Sequence, residues 1–104
     1  MRISARIVVV SIAGAIFSVA ASADPDRNLA AACANCHGTN GYSQGGIASL
    51  AGQNKAQLLA RLREFRDGKR TATIMHQIAR GYSDAQLVAL SDYFSRQPMT
   101  RSGQ

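Results

Sequence analysis

Two thiols and an imidazole stand together in Cys33-Ala34-Asn35-Cys36-His37, and the chain has no cysteine outside this pentapeptide. A disulfide between Cys33 and Cys36 would close a tiny loop and constrain the unfolded chain very little, so it would be a poor structural brace. A dithiol redox centre uses the same Cys-x-x-Cys spacing. It belongs, however, where a strand enters a helix in a parallel-sheet domain, and no stretch of this sequence alternates strand and helix patterns. Zinc would have to recruit His37 and His76, which are 39 positions apart and do not match the ligand spacing of structural zinc sites. Covalent haem attachment uses the whole pentapeptide: the thiols add to the haem vinyl groups as thioethers, and the histidine that follows is placed to bind the iron. Cys33 and Cys36 are therefore the expected attachment points of one haem c, with His37 as the proximal iron ligand.

Iron bound by one histidine has a sixth position to fill, and Met75, His76 and Met99 are the candidates. Met75 ends Lys69-Arg70-Thr71-Ala72-Thr73-Ile74-Met75, a stretch read as a loop between two helices, from which a thioether can be aimed across a cavity. Such a ligand raises the reduction potential relative to two nitrogen ligands and closes the iron to oxygen chemistry. Most methionines are flexible core fillers, but a haem motif upstream makes Met75 the preferred axial ligand. His76 is adjacent, so its side chain is expected to project elsewhere, toward solvent. Met99 follows Pro98 close to a fraying terminus and is the weakest candidate.

The elements that position these residues begin after a leader. Arg2 and Arg6 precede a charge-free apolar run from Ile7 to Ala20, and Ala21-Ser22-Ala23 supplies small residues in the Ala-x-Ala pattern. This order reads as a secretory signal peptide over residues 1–23, cleaved after Ala23, and it places the protein in the periplasm. An uncleaved anchor is the alternative, since Ile7 to Ala23 is 17 residues and only just long enough to span a bilayer; cleavage leaves no stable membrane insertion. Haem c is attached outside the cytoplasm, so the leader and the pentapeptide support one another. Removing 23 residues from 104 leaves 81 in a single domain over 24–104, and the loss of Arg2 and Arg6 lowers the formal charge from +6 to +4. A domain that small with few aromatics buries only a thin core, which a cofactor must help to fill.

Helical signals dominate what remains. Pro25 can open a first helical turn, and Asp26 to Ala32 runs in helix-forming residues into Cys33. Gly38 to Gly46 has four glycines and no periodicity, as a loop wrapping a flat group would. Asn54 precedes an amphipathic stretch, Lys55 to Asp67, with Leu58, Leu62 and Phe65 on one face and Gly68 at the expected stop. Ser83-Asp84-Ala85-Gln86 is a capping box, Leu87, Leu90 and Phe94 follow on one face, and Pro98 ends the helix near Gln97. The fold class is all-α, three or four short helices around one haem.

The pentapeptide, Leu50-Ala51-Gly52-Gln53, Met75 before a last helix, and Tyr93-Phe94 within it resemble the class I c-type cytochromes over essentially the whole of residues 24–104. The resemblance implies thioethers at Cys33 and Cys36, axial ligation by His37 and Met75, and terminal helices that cross, so that Leu29 and Tyr93 meet. In that family a proline carbonyl in an Ile-Pro-x-Leu-Ala-Gly stretch accepts a hydrogen bond from the proximal imidazole. Here the stretch is Ile47-Ala48-Ser49-Leu50-Ala51-Gly52, and the Ala48 carbonyl takes that place with one fixed φ angle fewer. Phe65-Arg66-Asp67-Gly68-Lys69-Arg70, Thr73-Ile74-Met75 and Ile78-Ala79-Arg80-Gly81-Tyr82-Ser83-Asp84 are similar to the cytochrome subunit of flavocytochrome c sulfide dehydrogenase, although His76 stands where glycine follows the methionine there. This likeness implies a separate sulfide-oxidising flavoprotein that passes electrons singly to the haem.

Three functions compete. In the first, the chain is an electron-transfer subunit docked on a flavoprotein; in the second, a freestanding cytochrome shuttles between respiratory complexes. An apolar patch at the haem edge favours the first and a rim of lysines the second. The third, a ligand-binding haem sensor or enzyme, requires that Met75 not coordinate. No residue is needed as acid, base or nucleophile, so the chain is not expected to be an enzyme on its own. Its basic residues lack the dense cluster that nucleic acid would need. Arg61, Arg63, Arg66, Lys69 and Arg70 read mainly as a solvated face, with a lesser role in binding a propionate or steering a partner.

Overall fold

The computed structural model describes residues 23–100 together with Gly14 and Ser18; the expected leader otherwise lies outside the described residues. The chain begins with α1 (Pro25–Ala30), a 3₁₀ turn (Ala31–Cys33) and α2 (Ala34–His37), which follow one another through right-handed helical backbone as a single helical run. Asp24 caps it, its Oδ1 accepting from the Asp26 and Arg27 amides at 3.0 and 3.4 Å, and Pro25 occupies the first turn where no amide donor is missed.

A long loop follows, opened by a 3₁₀ turn at Thr39–Gly41. The Gly41 carbonyl accepts from Leu50 N at 2.8 Å and Ala51 N at 3.2 Å, which closes the intervening residues into one lobe. A Cβ on Gly41, at φ +83°, would fall 2.9 Å from both Ala51 N and the Phe94 ring, so backbone meets core here with no room for a side chain. Gly52 N then donates to Phe94 O at 2.9 Å and ties the lobe to the last helix.

Helix α3 (Lys55–Arg66) is capped by Asn54, whose Oδ1 accepts from Gln57 N at 3.1 Å. It stops at Asp67 and Gly68, the latter at φ +71°, while Lys69 N reaches back to Glu64 O at 2.8 Å. Helix α5 (Asp84–Ser95) carries both arms of the expected capping box: Gln86 N donates to Ser83 Oγ at 3.2 Å and Ser83 N donates to Gln86 Oε1 at 2.9 Å. It ends two residues before the expected point, at Ser95, with Arg96 as its cap and Pro98 beyond.

Between α3 and α5 the expected loop over 69–75 runs into a further helix that starts at its last residue, α4 (Met75–Arg80). Ile74 before it has a non-helical φ of −140° and offers no side-chain cap, so no local start signal exists. Packing supplies the missing stability: Ala79 is fully buried and α4 lies along α3. No strand occurs among the described residues.

Helix α5 is the hub, with α1 on one side and α3 on the other. Ala30, Leu58, Leu90, Tyr93 and Phe94 form the buried core, Leu29 and Leu62 pack against it, and the Tyr93 and Phe94 rings meet edge-on at 5.3 Å. The crossing of the first and last helices, with Leu29 against the cluster that contains Tyr93, is as expected.

Candidate functional site

The tighter 3₁₀ turn rotates the pentapeptide so that Cys33, half-buried, and Cys36, exposed, both reach the wall of one cavity. One helical turn after Cys33 the chain has passed His37 and ended α2 at Gly38. The lobe closed by Gly41 carries Ala48 back over this point, and His37 Nδ1 stands 2.6 Å from the Ala48 carbonyl oxygen. A carbonyl only accepts, so Nδ1 carries the proton and Nε2 is left with its lone pair free for a metal. This is the bond expected of the proximal imidazole, made without the proline.

Met75, the first residue of α4, lies on the wall of the same cavity. The space encloses about 330 Å³ and is lined mainly by apolar side chains, among them Leu58, Leu62 and Phe65 of α3 and Leu90 and Phe94 of α5. These are the residues on the expected core faces of the two helices. They face an interior space that they do not fill, which answers the thin-core problem posed by the chain's length. Burial pushes the Cys33 thiol up from its ordinary range, and burial with a smaller contribution from Cys33 does the same to the Tyr82 phenol on the same wall. Ser91, fully buried on that wall, donates its hydroxyl to Leu87 O at 2.8 Å and presents no unsatisfied group.

Cys33, Cys36, His37 and Met75 are thus brought together, and the two rival ligands are not. His76 does not line the cavity; against expectation it is half-buried rather than solvent-facing, and its Nδ1 is shielded without a hydrogen-bond partner. Met99 is 83% exposed and also off the cavity wall. The basic face of α3 is solvated as expected, and it also carries ion pairs. Arg63 Nε and Nη2 donate to the two Asp84 oxygens at 2.8 and 2.7 Å and Arg66 Nη1 donates to Oδ1 at 2.9 Å, so these arginines bridge α3 to the start of α5. The paired guanidiniums hold the Asp84 carboxyl well below the usual carboxylate range, and Arg66 does the same for Asp67. Arg61, held by Gln53 Oε1 at 2.9 Å, and Arg70, held by Glu64 Oε2 at 2.9 Å, line the cavity and are its charged residues among those described.

Ile47, Ile74 and Ile78 had no assigned part in the site. They are 50, 52 and 39% exposed, and all three line the cavity, so they form an apolar rim at its mouth. The spacing of Ile74 and Ile78, four apart around Met75, becomes informative only once α4 is known to be helical.

This arrangement fits haem. A flat apolar body needs apolar walls, two thioether links need two thiols on one wall, and iron needs an imidazole lone pair and a thioether sulfur, all of which the cavity offers. Two arginines complement two propionates. A bare metal ion has no comparable home, since the described residues contain no group of three or more His, Cys, Asp or Glu able to hold one. No helix among the described residues is long and apolar enough to cross a membrane.

Comparison with known proteins agrees. The Cytochrome c family model matches residues 27–97. The cytochrome subunit of sulfide dehydrogenase of Chlorobaculum tepidum is 36% identical over 66 residues, covering 64% of this chain and 60% of that one. The thiosulfate dehydrogenase electron acceptor of Thiomonas intermedia is 37% identical over 97 residues, covering 88% of this chain and 43% of its own length. Among solved structures, cytochrome c4 of Acidithiobacillus ferrooxidans superposes with a TM-score of 0.59 at 38% identity, over 62% of this chain and 37% of that one. The chain therefore spans less than two thirds of each of these relatives.

Proposed function

The chain belongs to the cytochrome c family, and on that premise we propose that it is a periplasmic subunit taking single electrons from a sulfide-oxidising flavoprotein. As a member of the family it carries covalently bound haem c and transfers electrons rather than catalysing a bond change. The haem supplies a one-electron iron couple. Cys33 and Cys36 are its thioether links, His37 and Met75 its axial ligands, and residues 1–23 the leader that takes the chain to the compartment where the links are made.

The observation that carries the ligand assignment is His37 Nδ1 at 2.6 Å from Ala48 O, with Met75 and both cysteines on the wall of one cavity. The bond fixes the imidazole tautomer and ring plane. The apolar walls keep water from the metal, so little solvent reorganises when its charge changes by one. A Met75 thioether in the sixth position favours the reduced state and shuts out oxygen.

The partner reading rests on the rim. Ile47, Ile74 and Ile78 present apolar surface where electrons must cross, whereas Lys55 and Lys69, the two lysines of the chain, are both off the cavity wall. An apolar rim suits a standing contact better than a transient one. The likeness to the Chlorobaculum tepidum subunit points the same way.

Intact-mass measurement of the exported protein is expected to give residues 24–104 plus one haem, and to lose the haem mass in the Cys33→Ser/Cys36→Ser double variant. Sulfide is expected to reduce the purified cytochrome only when the flavoprotein is present, and the two are expected to elute together. Equal reduction without the flavoprotein, or elution as a free monomer beside it, would overturn the subunit assignment.

A further inference from the structure

Met75 has no polar tether of its own. Among the described residues, no hydrogen bond or ion pair joins residues 71–76 to anything outside segment 67–83. The segment leaves α3 at Asp67, contains α4 and joins α5 at Asp84, and between these points it rests on α3 through packing around the buried Ala79. Its polar anchorage lies at its two ends.

Those ends are fastened to one another. Asp84, the first residue of α5, accepts three hydrogen bonds of 2.7 to 2.9 Å from Arg63 and Arg66 in the last turns of α3. Arg66 also donates from Nε to Asp67 Oδ1 at 3.0 Å, so one guanidinium touches both the residue where the segment departs and the residue where it returns. Most exposed ion pairs contribute little. The exceptions are bidentate arginine–carboxylate pairs and multi-charge networks, and this cluster is both.

We infer that Asp84, through Arg63 and Arg66, is the clasp that closes the neck of segment 67–83 and so holds the Met75 sulfur against the cavity. It is a positioning residue, and this role rests on the reading of Met75 as the sixth ligand. With the neck closed, the segment's ends cannot separate, and swinging Met75 away requires α4 to peel from α3. With the neck open, that motion loses one of its restraints, and the fraction of molecules with an open sixth position rises.

The experiment uses the exported holoprotein in the ferric state and imidazole as the competing ligand, followed by absorption. Apparent imidazole affinity scales with the fraction of molecules in which the methionine has left. Asp84→Asn is expected to raise that affinity by roughly threefold to tenfold, and Asp84→Glu to restore most of it. Asp92→Asn is the control: it removes a second exposed carboxylate, bonded to Lys55 and Arg96 and away from segment 67–83, and is expected to leave the affinity unchanged. If Asp84→Asn binds imidazole as the unaltered protein does, or if Asp92→Asn matches its increase, the clasp is overturned. A failure of the underlying reading looks different: the unaltered ferric protein would lack the far-red iron–thioether absorption, and the clasp would fall with it. Arg63→Gln, which leaves the Arg66 pair in place, takes the same measurement with the same criterion where Asp84→Asn does not accumulate.

Discussion

An imidazole with one nitrogen committed to a carbonyl has only the other to give, and at His37 this single contact decides what the pentapeptide can do. The proposed attachment residues were picked out in the sequence because thiol, thiol and imidazole at that spacing leave few other chemistries. The Ala48 contact was legible only through the family likeness, since ten intervening residues with four glycines carry no signal of where the backbone goes. Asn40 shows the same limit. Its φ of 54° is a conformation few side chains adopt, and the Tyr93 hydroxyl donates to its Oδ1 at 2.7 Å from the far side of the core. Tyr93→Phe removes one part-buried hydrogen bond and is expected to cost about 1 kcal/mol in chemical denaturation of the holoprotein. A loss near zero would mean that the Asn40 turn stands by its own backbone bonds.

Helices announced themselves where their ends are chemically marked. Asp24 with Pro25, Asn54 with Gly68, and Ser83 with Gln86 each place a start or stop where a side chain or a glycine satisfies the terminal backbone groups. Helix α4 has no such mark and six residues, too few for a periodicity to stand out, so only its burial against α3 reveals it. Ser83→Ala removes one arm of the capping box and is expected to cost about 1 kcal/mol of stability, read by thermal or chemical unfolding. The partners of the solvated basic face of α3 were not legible because sequence gives charge without partners, and Asp84 lies 18 to 21 positions away from the arginines it binds. The Asp84 carboxyl is held below its unfolded value, so its contribution is complete above the ordinary carboxylate range and is lost as pH falls through the depressed folded value. Below about pH 4, Asp84→Asn is therefore expected to lose less stability on further acidification than the unaltered protein does. Parallel acid-unfolding curves for the two would contradict the pairing.

The molecule as a whole is a helical shell around a space it cannot fill with its own side chains. Leu58, Leu62, Phe65, Leu90 and Phe94 line a cavity of about 330 Å³ that their packing leaves open. A small domain's net stability is only on the order of 5–15 kcal/mol, and leaving such a space without its cofactor forfeits contacts along every wall. The haem-free Cys33→Ser/Cys36→Ser chain is accordingly expected to lose its cooperative thermal transition; a sharp transition near that of the holoprotein would show that the walls can close on themselves. The proposed role as a closed carrier of single electrons requires that His37 and Met75, both on the wall of this cavity, hold the iron. Its most direct test is the absorption spectrum of the exported holoprotein, ferric and ferrous, beside that of Met75→Ala. Both proteins are expected to show c-type bands, with a far-red iron–thioether absorption in the ferric unaltered protein that is completely lost in Met75→Ala. Attached haem without that absorption, or with an absorption that survives Met75→Ala, would contradict it.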